Sequence, residues 1–390
     1  MKKKEINSAR VPVFRDSGFE LYDADTTAGA FKKETNNERE PELYIYSRYR
    51  NPTVVAAEEE LMKLEKCEWV LLTQSGMSAV DTALSVFQRG KDTRPWLFFT
   101  EIYGGTISFI ESVLKKRRGL DIHSFNPVKE AYDLIEFEEV IKKLRPELVY
   151  LETISNPLLI VADVAGVVRI AGKYGVKVLV DNTFATPYLF KPLDFGANIV
   201  IHSATKYFSG HGNLTAGVIC GNDKEIMRAA IEYRKFVGHM LSPDDAYRLT
   251  TQIKSFELRF VRQCENAIRL ASWLNEVPVI EKVWFPGLKD HATQDEAVKL
   301  FGKKYFGAMI TFGFAGKNGD EKKKRRDNFI RNVSEKIKLI PTLGDPYTIL
   351  IPVEAVWGAK YPEPGMIRLS IGFENFDELE RTISKALKIF

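Results

Sequence analysis

Five short apolar runs break off in polar residues: WVLLTQS (69–75), WLFFT (96–100), ELVYLET (147–153), VKVLVDNT (176–183) and ANIVIHSAT (197–205). Segments with helical spacing lie among them. They are VVAAEEELMKLEK (54–66), MSAVDTALSVFQRG (77–90, closing on Gly90) and DVAGVVRIAGKYG (163–175, closing on Gly175). A glycine after the last periodic residue is a helix stop. Continuous apolar strands alternating with helices predict an α/β fold with a mostly parallel sheet covered on both faces. Ligands of such sheets bind beyond the carboxyl ends of the strands. The polar endings Thr73-Gln74-Ser75, Glu152-Thr153, Asp181-Asn182-Thr183 and Ser203-Ala204-Thr205-Lys206 are therefore expected to face one crevice.

The 390 residues suffice for two domains. Residues 1–43 are polar and weakly periodic and read as an arm. After about residue 240 the texture changes. DAYRLTTQIKSFELRFVRQCENAIRLASWLNE (245–276) reads as one long helix with a bend, and AMITFGFAG (308–316) and MIRLSIGF (366–373) as strands of a smaller α+β domain. The boundaries that follow are 1–50, 51–238 and 239–390. A net charge of +4, from 56 basic and 52 acidic residues, is too balanced to imply nucleic acid or a membrane surface as partner. The run Lys322-Lys323-Lys324-Arg325-Arg326 follows Asp320-Glu321 and reads as a solvated turn or helix start. Cys67, Cys220 and Cys264 are far apart, no histidine pair has metal-ligand spacing, and no metal is expected. Few cysteines, a start without a signal-peptide core and no membrane-length apolar run point to the cytoplasm.

Lys206 stands at a strand end among Ser203, Thr205, Ser209, Gly210 and Gly212. A lysine with no function there prefers a wet helix face. Neither G-x-G-x-x-G nor G-x-x-x-x-G-K occurs, which demotes dinucleotide and P-loop chemistry. Ser75-Gly76-Met77 opens a helix, where free N–H groups and the helix dipole favour an anion, and Ser203 and Thr205 add hydroxyls. A phosphate cradle, a strand-end lysine and the neighbouring strand-end Asp181 together fit pyridoxal 5'-phosphate. Its aldehyde needs an amine, its ring nitrogen a carboxylate, and its phosphate donors.

Seven motifs carry a resemblance in order: YSRYRNPT (46–53), TQSGMSA (73–79), YGGT (103–106), ETISNP (152–157), DNTFATP (181–187), HSATKYFSGH (202–211) and IRLSIGFE (367–374). The chain resembles the Cys/Met-metabolism (transsulfuration) family of pyridoxal-phosphate enzymes. The resemblance implies a fold-type I transferase-like α/β architecture and a homo-oligomer, a dimer at least and commonly a tetramer. It implies Lys206 as cofactor lysine and mobile base, and Asp181 against the ring nitrogen. Ser75, Gly76, Met77, Ser203 and Thr205 would bind the phosphate. Tyr46 and Arg48, on the arm, would reach a neighbouring subunit's cofactor. Tyr103 would stack on the ring and protonate the leaving group. Asn156, Thr342 (for the usual serine) and Arg368 would hold the substrate carboxylate. The implied substrate is a small sulfur amino acid, and the reaction γ-elimination through a vinylglycine-type intermediate to a 2-oxo acid, ammonia and a thiol. Replacement on an O-acylhomoserine and cystathionine γ- or β-cleavage are the alternatives; an aminotransferase or a catalytically silent relative is more remote.

Departures bear on specificity. GHGNLTAG (210–217) is unusual, which leaves the role of Asn213 open, and His211 reads as structural. Gly105 stands where typical methionine γ-lyases carry a cysteine, although LGD (343–345) is like that branch. Cystathionine-specific relatives hold the second amino-acid head with charged residues where this chain has Ile45, Ser108 and Pro341.

Overall fold

The computed structural model describes residues 8–35, 43–88 and 94–388. Seven strands form the first sheet: β1 (Trp69–Thr73), β2 (Trp96–Phe99), β3 (Ile122–Phe125), β4 (Leu148–Glu152), β5 (Lys177–Asp181), β6 (Ile199–Ser203) and β7 (Gly217–Gly221). Their order is β1-β7-β6-β5-β4-β2-β3. Neighbours from β3 to β6 are parallel, and β7 runs against both β1 and β6. β1 therefore points the same way as β4, β5 and β6, and the polar strand ends meet at one edge. β1, β4, β6 and β7 are buried along nearly their whole length, as continuous apolar runs require. The antiparallel strand β7 ends in Asn222-Asp223 at the opposite edge from the cleft, and β3 is a less apolar edge strand.

The helices Pro52–Glu65, Gly76–Ser85 and Val164–Lys173 fall on the periodic segments. Asn51, Ser75 and Asp163 cap their amino ends by accepting backbone N–H groups. Gly175 adopts φ +69°, as the expected stop requires. Gly90 lies outside the described residues. The bend expected in 245–276 is a 3-10 turn, Ile253–Ser255, between the helices Pro243–Gln252 and Phe256–Leu274.

A second sheet has the order β10-β11-β12-β9-β8. Its strands are β8 (Ile280–Trp284), β9 (Met309–Phe314), β10 (Lys338–Leu339), β11 (Ile349–Pro352) and β12 (Met366–Ser370). The pairs are antiparallel except β10 with β11. The basic run lies in the helix Gly319–Val333, capped by Asn318, where Arg325 pairs with Glu321 at 2.7 Å and Lys322 with Glu281. The described residues of the arm, 8–35 and 43–50, include regular structure. They contain the helix Ala24–Thr35, and Arg15 pairs with Asp244 at 2.6 Å. No helix among the described residues is long and apolar enough to cross a membrane.

Candidate active site

The strand ends line a cleft of about 230 Å³. It brings together Ser75, Gly76, Met77, Tyr103, Asn156, Asp181, Ser203, Thr205, Lys206, Thr342 and Arg368. Thr73, Thr153 and Asn182, from the same polar endings, do not line it. They brace it instead: Thr73 donates to the Ser75 carbonyl at 2.9 Å, Thr153 to Asn182 Oδ1 at 2.7 Å, and Asn182 to the Phe190 carbonyl at 2.8 Å. Alternating side chains on a strand end cannot all face one way.

The anion end of the cleft is the start of the helix Gly76–Ser85. Ser75 Oγ accepts the Ser78 N–H at 3.1 Å, which leaves the N–H groups of the first residues facing the cleft. Gly76 permits a close approach to β6, because a Cβ there would stand 3.0 Å from Ser203 Cβ and Oγ. Ser203 is held by its own N–H, which donates to Thr183 Oγ1 at 2.9 Å.

Lys206 follows β6 in a tight turn, its N–H donating to the Ser203 carbonyl at 3.1 Å and its carbonyl accepting the Gly210 N–H at 2.7 Å. Its Nζ donates to Thr342 Oγ1 at 2.9 Å. Burial lowers the amine to about 8, with a further push from the Arg368 charge and an opposing pull from Asp345. Two residues that the motifs did not single out hold this turn. Arg259 donates to the Tyr207, Phe208 and Gln252 carbonyls at 3.0, 3.1 and 3.0 Å. It occupies the space left by Gly210, whose Cβ would fall 1.5 Å from Arg259 Nη1. Gly344, the glycine of LGD, has φ +83° and packs on the Lys206 backbone, so closely that a Cβ there would lie 2.8 Å from the Lys206 carbonyl carbon.

Asp181 ends β5, in register with Glu152 on β4. Burial raises its carboxyl, while hydrogen bonds from Thr183, whose N–H donates to Oδ1 at 2.9 Å, oppose the rise. Glu152 is pushed well up, first by burial and then by the charge of Asp181. Its Oε1 accepts the Tyr103 N–H at 2.6 Å, which fixes the loop carrying that ring. The place of Glu152 at a strand end is legible in the sequence, whereas its hold on Tyr103 is set by the fold. Tyr103 is 51% exposed at the mouth. A Cβ at Gly105 would lie 2.3 Å from Tyr103 Cε1, so the phenol ring fills the space a larger residue would need.

At the far end Arg368 donates from Nη1 to Asn156 Oδ1 at 2.9 Å and from Nη2 to the Thr342 carbonyl at 3.1 Å. Burial lowers its guanidinium to about 10, which still leaves it charged at neutral pH. Tyr46 and Arg48 do not reach this cleft. Arg48 instead donates to the Lys235 carbonyl at 2.6 Å and lies over the Tyr46 and Tyr49 rings. His211 and Asn213 are also outside it. His211 meets the Ser209 carbonyl, and Asn213 Oδ1 accepts from Gln252 at 2.9 Å.

The fold also gathers Glu65, His202 and Cys220, residues with no metal-ligand spacing in sequence. His202 Nε2 lies 2.6 Å from Glu65 Oε1. Two zinc bonds in tetrahedral geometry hold their donor atoms about 3.3 Å apart. The contact is a buried imidazole–carboxylate approach, shorter than two such zinc bonds allow, in which neither His202 Nε2 nor Glu65 Oε1 reaches hydrogen-bond geometry.

The donor set fits pyridoxal phosphate. Helix N–H groups and hydroxyls suit its phosphate, a poised amine its aldehyde, and a buried carboxylate its ring nitrogen.

Comparison with known proteins agrees. Residues 1–388 match the family described as Cys/Met metabolism PLP-dependent enzyme. An L-methionine gamma-lyase of Fusobacterium nucleatum subsp. polymorphum is 33% identical, over 99% of this chain and 95% of the relative. A cystathionine beta-lyase of Lactococcus lactis subsp. cremoris is 32% identical over 90% of each chain. The solved cystathionine gamma synthase of Xanthomonas oryzae pv. oryzae superposes with a TM-score of 0.85 at 27% identity, covering 98% of this chain and 93% of the other. The chain thus belongs to the Cys/Met-metabolism family and is a pyridoxal-phosphate-dependent enzyme of the transsulfuration type.

Proposed function

We propose that the enzyme catalyses γ-elimination on a small sulfur amino acid of the methionine or homocysteine type, yielding a 2-oxo acid, ammonia and a thiol. The observation that carries this is the inventory of charge in the cleft. Among the described residues of one protomer its lining holds four such groups, Glu152, Asp181, Lys206 and Arg368, and the neighbour's Arg48 in this reading serves the phosphate. In this reading each has a task, and none is left for the second ammonium and carboxylate of cystathionine. Pro341, where cystathionine-specific relatives carry a glutamate, lines the cleft without charge. An ion left unpaired in a partly dry site costs a few kcal/mol, about a hundredfold in rate constant.

Pyridoxal phosphate, when bound, supplies the electron sink that makes the substrate's α-hydrogen acidic. Arg368 and Asn156 hold the α-carboxylate and so orient the Cα–H bond. The Lys206 amine, poised near neutrality and steered by Thr342, takes the proton from Cα, gives that proton up again and, neutral once more, takes one from Cβ. Tyr103 delivers a proton to the departing sulfur. Asp181 holds the proton of the ring nitrogen in place. Since Tyr46 and Arg48 lie outside their own cleft, we assign them to a neighbour's, in a homo-oligomer built on a dimer.

The test is competition among methionine, homocysteine, O-acetylhomoserine and cystathionine, read as kcat/KM with products identified by mass. A clear preference for cystathionine overturns the reading. Likeness to the Xanthomonas synthase favours a second reading, replacement on an O-acylhomoserine; consumption of added thiol in the same assay would establish it.

A further inference from the structure

We propose that Trp357 is a positioning residue for the carboxylate-binding guanidinium, and that residues 353–361 form the outer wall of the substrate site. The proposal rests on the reading of Arg368 given above. β11 and β12 are antiparallel neighbours that a tight hairpin would join. Instead the chain leaves β11 through a short helix, Val353–Trp357, and a 3-10 turn, Gly358–Lys360, before returning in β12 with Arg368.

That excursion is clamped to the opposite wall. Lys360 Nζ donates to the Thr100 carbonyl at 2.7 Å and lies 3.5 Å from Glu101 Oε1. The buried Tyr361 hydroxyl bonds the other Glu101 oxygen. Thr100 and Glu101 lead directly into Tyr103. The segment therefore ties the Tyr103 loop to the Arg368 strand.

Trp357 sits where the two meet. The Arg368 Cζ lies 5.5 Å from its ring centroid. Its Nε1 would be 3.8 Å from a Cβ on Gly104, the residue after Tyr103. Tyr361 holds the indole edge-on, with centroids 6.3 Å apart at 89°. A planar guanidinium grips a carboxylate at two points only when the two planes align. Asn156 and Thr342 constrain the ends of the Arg368 fork, and Nε is buried without a hydrogen-bond partner. The indole face sets the remaining freedom, the tilt of the plane, through a cation–π contact.

The experiment uses the holoenzyme with its best amino-acid substrate from the panel above, and with the decarboxylated amine of that substrate as a competitive inhibitor. Trp357→Leu keeps apolar bulk but removes the π face. It should raise KM about five- to thirtyfold with kcat within about threefold of the parent. Trp357→Phe, which keeps a π face, should restore KM to within about threefold. The Ki of the amine, which has no carboxylate to align, should stay unchanged in both. A parental KM in Trp357→Leu, or an amine Ki that rises in parallel, overturns the proposal. If Trp357→Leu does not fold, Trp357→Met carries the same test. Arg368→Ala separates the two readings. If it leaves KM unmoved, the carboxylate reading has failed and this proposal with it; if it raises KM while Trp357→Leu does not, only Trp357 has failed.

Discussion

Covalent capture of the cofactor should reveal the state of the Lys206 amine. Only the neutral amine attacks an aldehyde, and an amine at about 8 rather than 10.5 changes how much of it is present. At pH 7 the neutral fraction is about 10% at the lowered value and about 0.03% at the ordinary one, roughly a 300-fold difference. The assay mixes apoenzyme with pyridoxal phosphate and follows visible absorbance in stopped flow from pH 6 to 10. The rate should rise with a midpoint near 8 and level off above it. Two variants test the cause. Asp345 opposes the lowering, so Asp345→Asn should move the midpoint down; Arg368 adds to it, so Arg368→Gln should move it up. The cofactor's own ionisations are common to all three proteins and cancel in the comparison. A parental rate that still climbs steeply at pH 10, with no levelling, would refute burial as the cause. So would charge variants that leave the midpoint fixed or shift it in the opposite sense.

Lys206→Ala should lose the borohydride-bleachable chromophore and nearly all turnover, because no other amine among the described residues lines the cleft; normal turnover would remove the core of the assignment. Mixing Lys206→Ala with Arg48→Ala subunits should restore part of the activity in hybrid dimers, and no recovery after proven subunit exchange would reject the shared site. Gly344→Ala should cut activity more than thermal stability, since its Cβ at φ +83° would press on the Lys206 backbone; crystals of the variant should show Lys206 displaced. Glu58 accepts from Arg234 at 2.5 Å and from the Leu72 N–H at 2.8 Å, all buried. Glu58→Ala strands the Arg234 charge, a loss of about 3–5 kcal/mol. With an unfolding entropy of about 0.8 kcal/mol/K for 390 residues, Tm should fall by about 4–6 °C; in Glu58→Leu/Arg234→Met calorimetry should recover much of this.

What the sequence determined by itself was local. Continuous apolar runs, capping residues and stop glycines depend on neighbours within a turn or a strand, and β1, β2, β4, β5 and β6 fell where those signals lay. The polar strand ends then implied one crevice, since parallel strands must end on the same side. The seven motifs added names for the residues there. What only the tertiary structure decided was which side chains meet across long stretches of chain. Arg259 reaches the Lys206 turn from a later helix, and Trp357 reaches Arg368 by an excursion out of the sheet. Glu152 gained its hold on Tyr103 because β2 and β4 are neighbours. His202 and Glu65 met although nothing in their spacing announced it. Tyr46 and Arg48 were kept out of their own cleft by their contacts with each other and with Lys235. The physical reason is the same throughout. Periodicity and capping are short-range properties of the backbone, whereas a guanidinium lodged against distant carbonyls or an indole is a property of packing, set only when the two sheets close on each other.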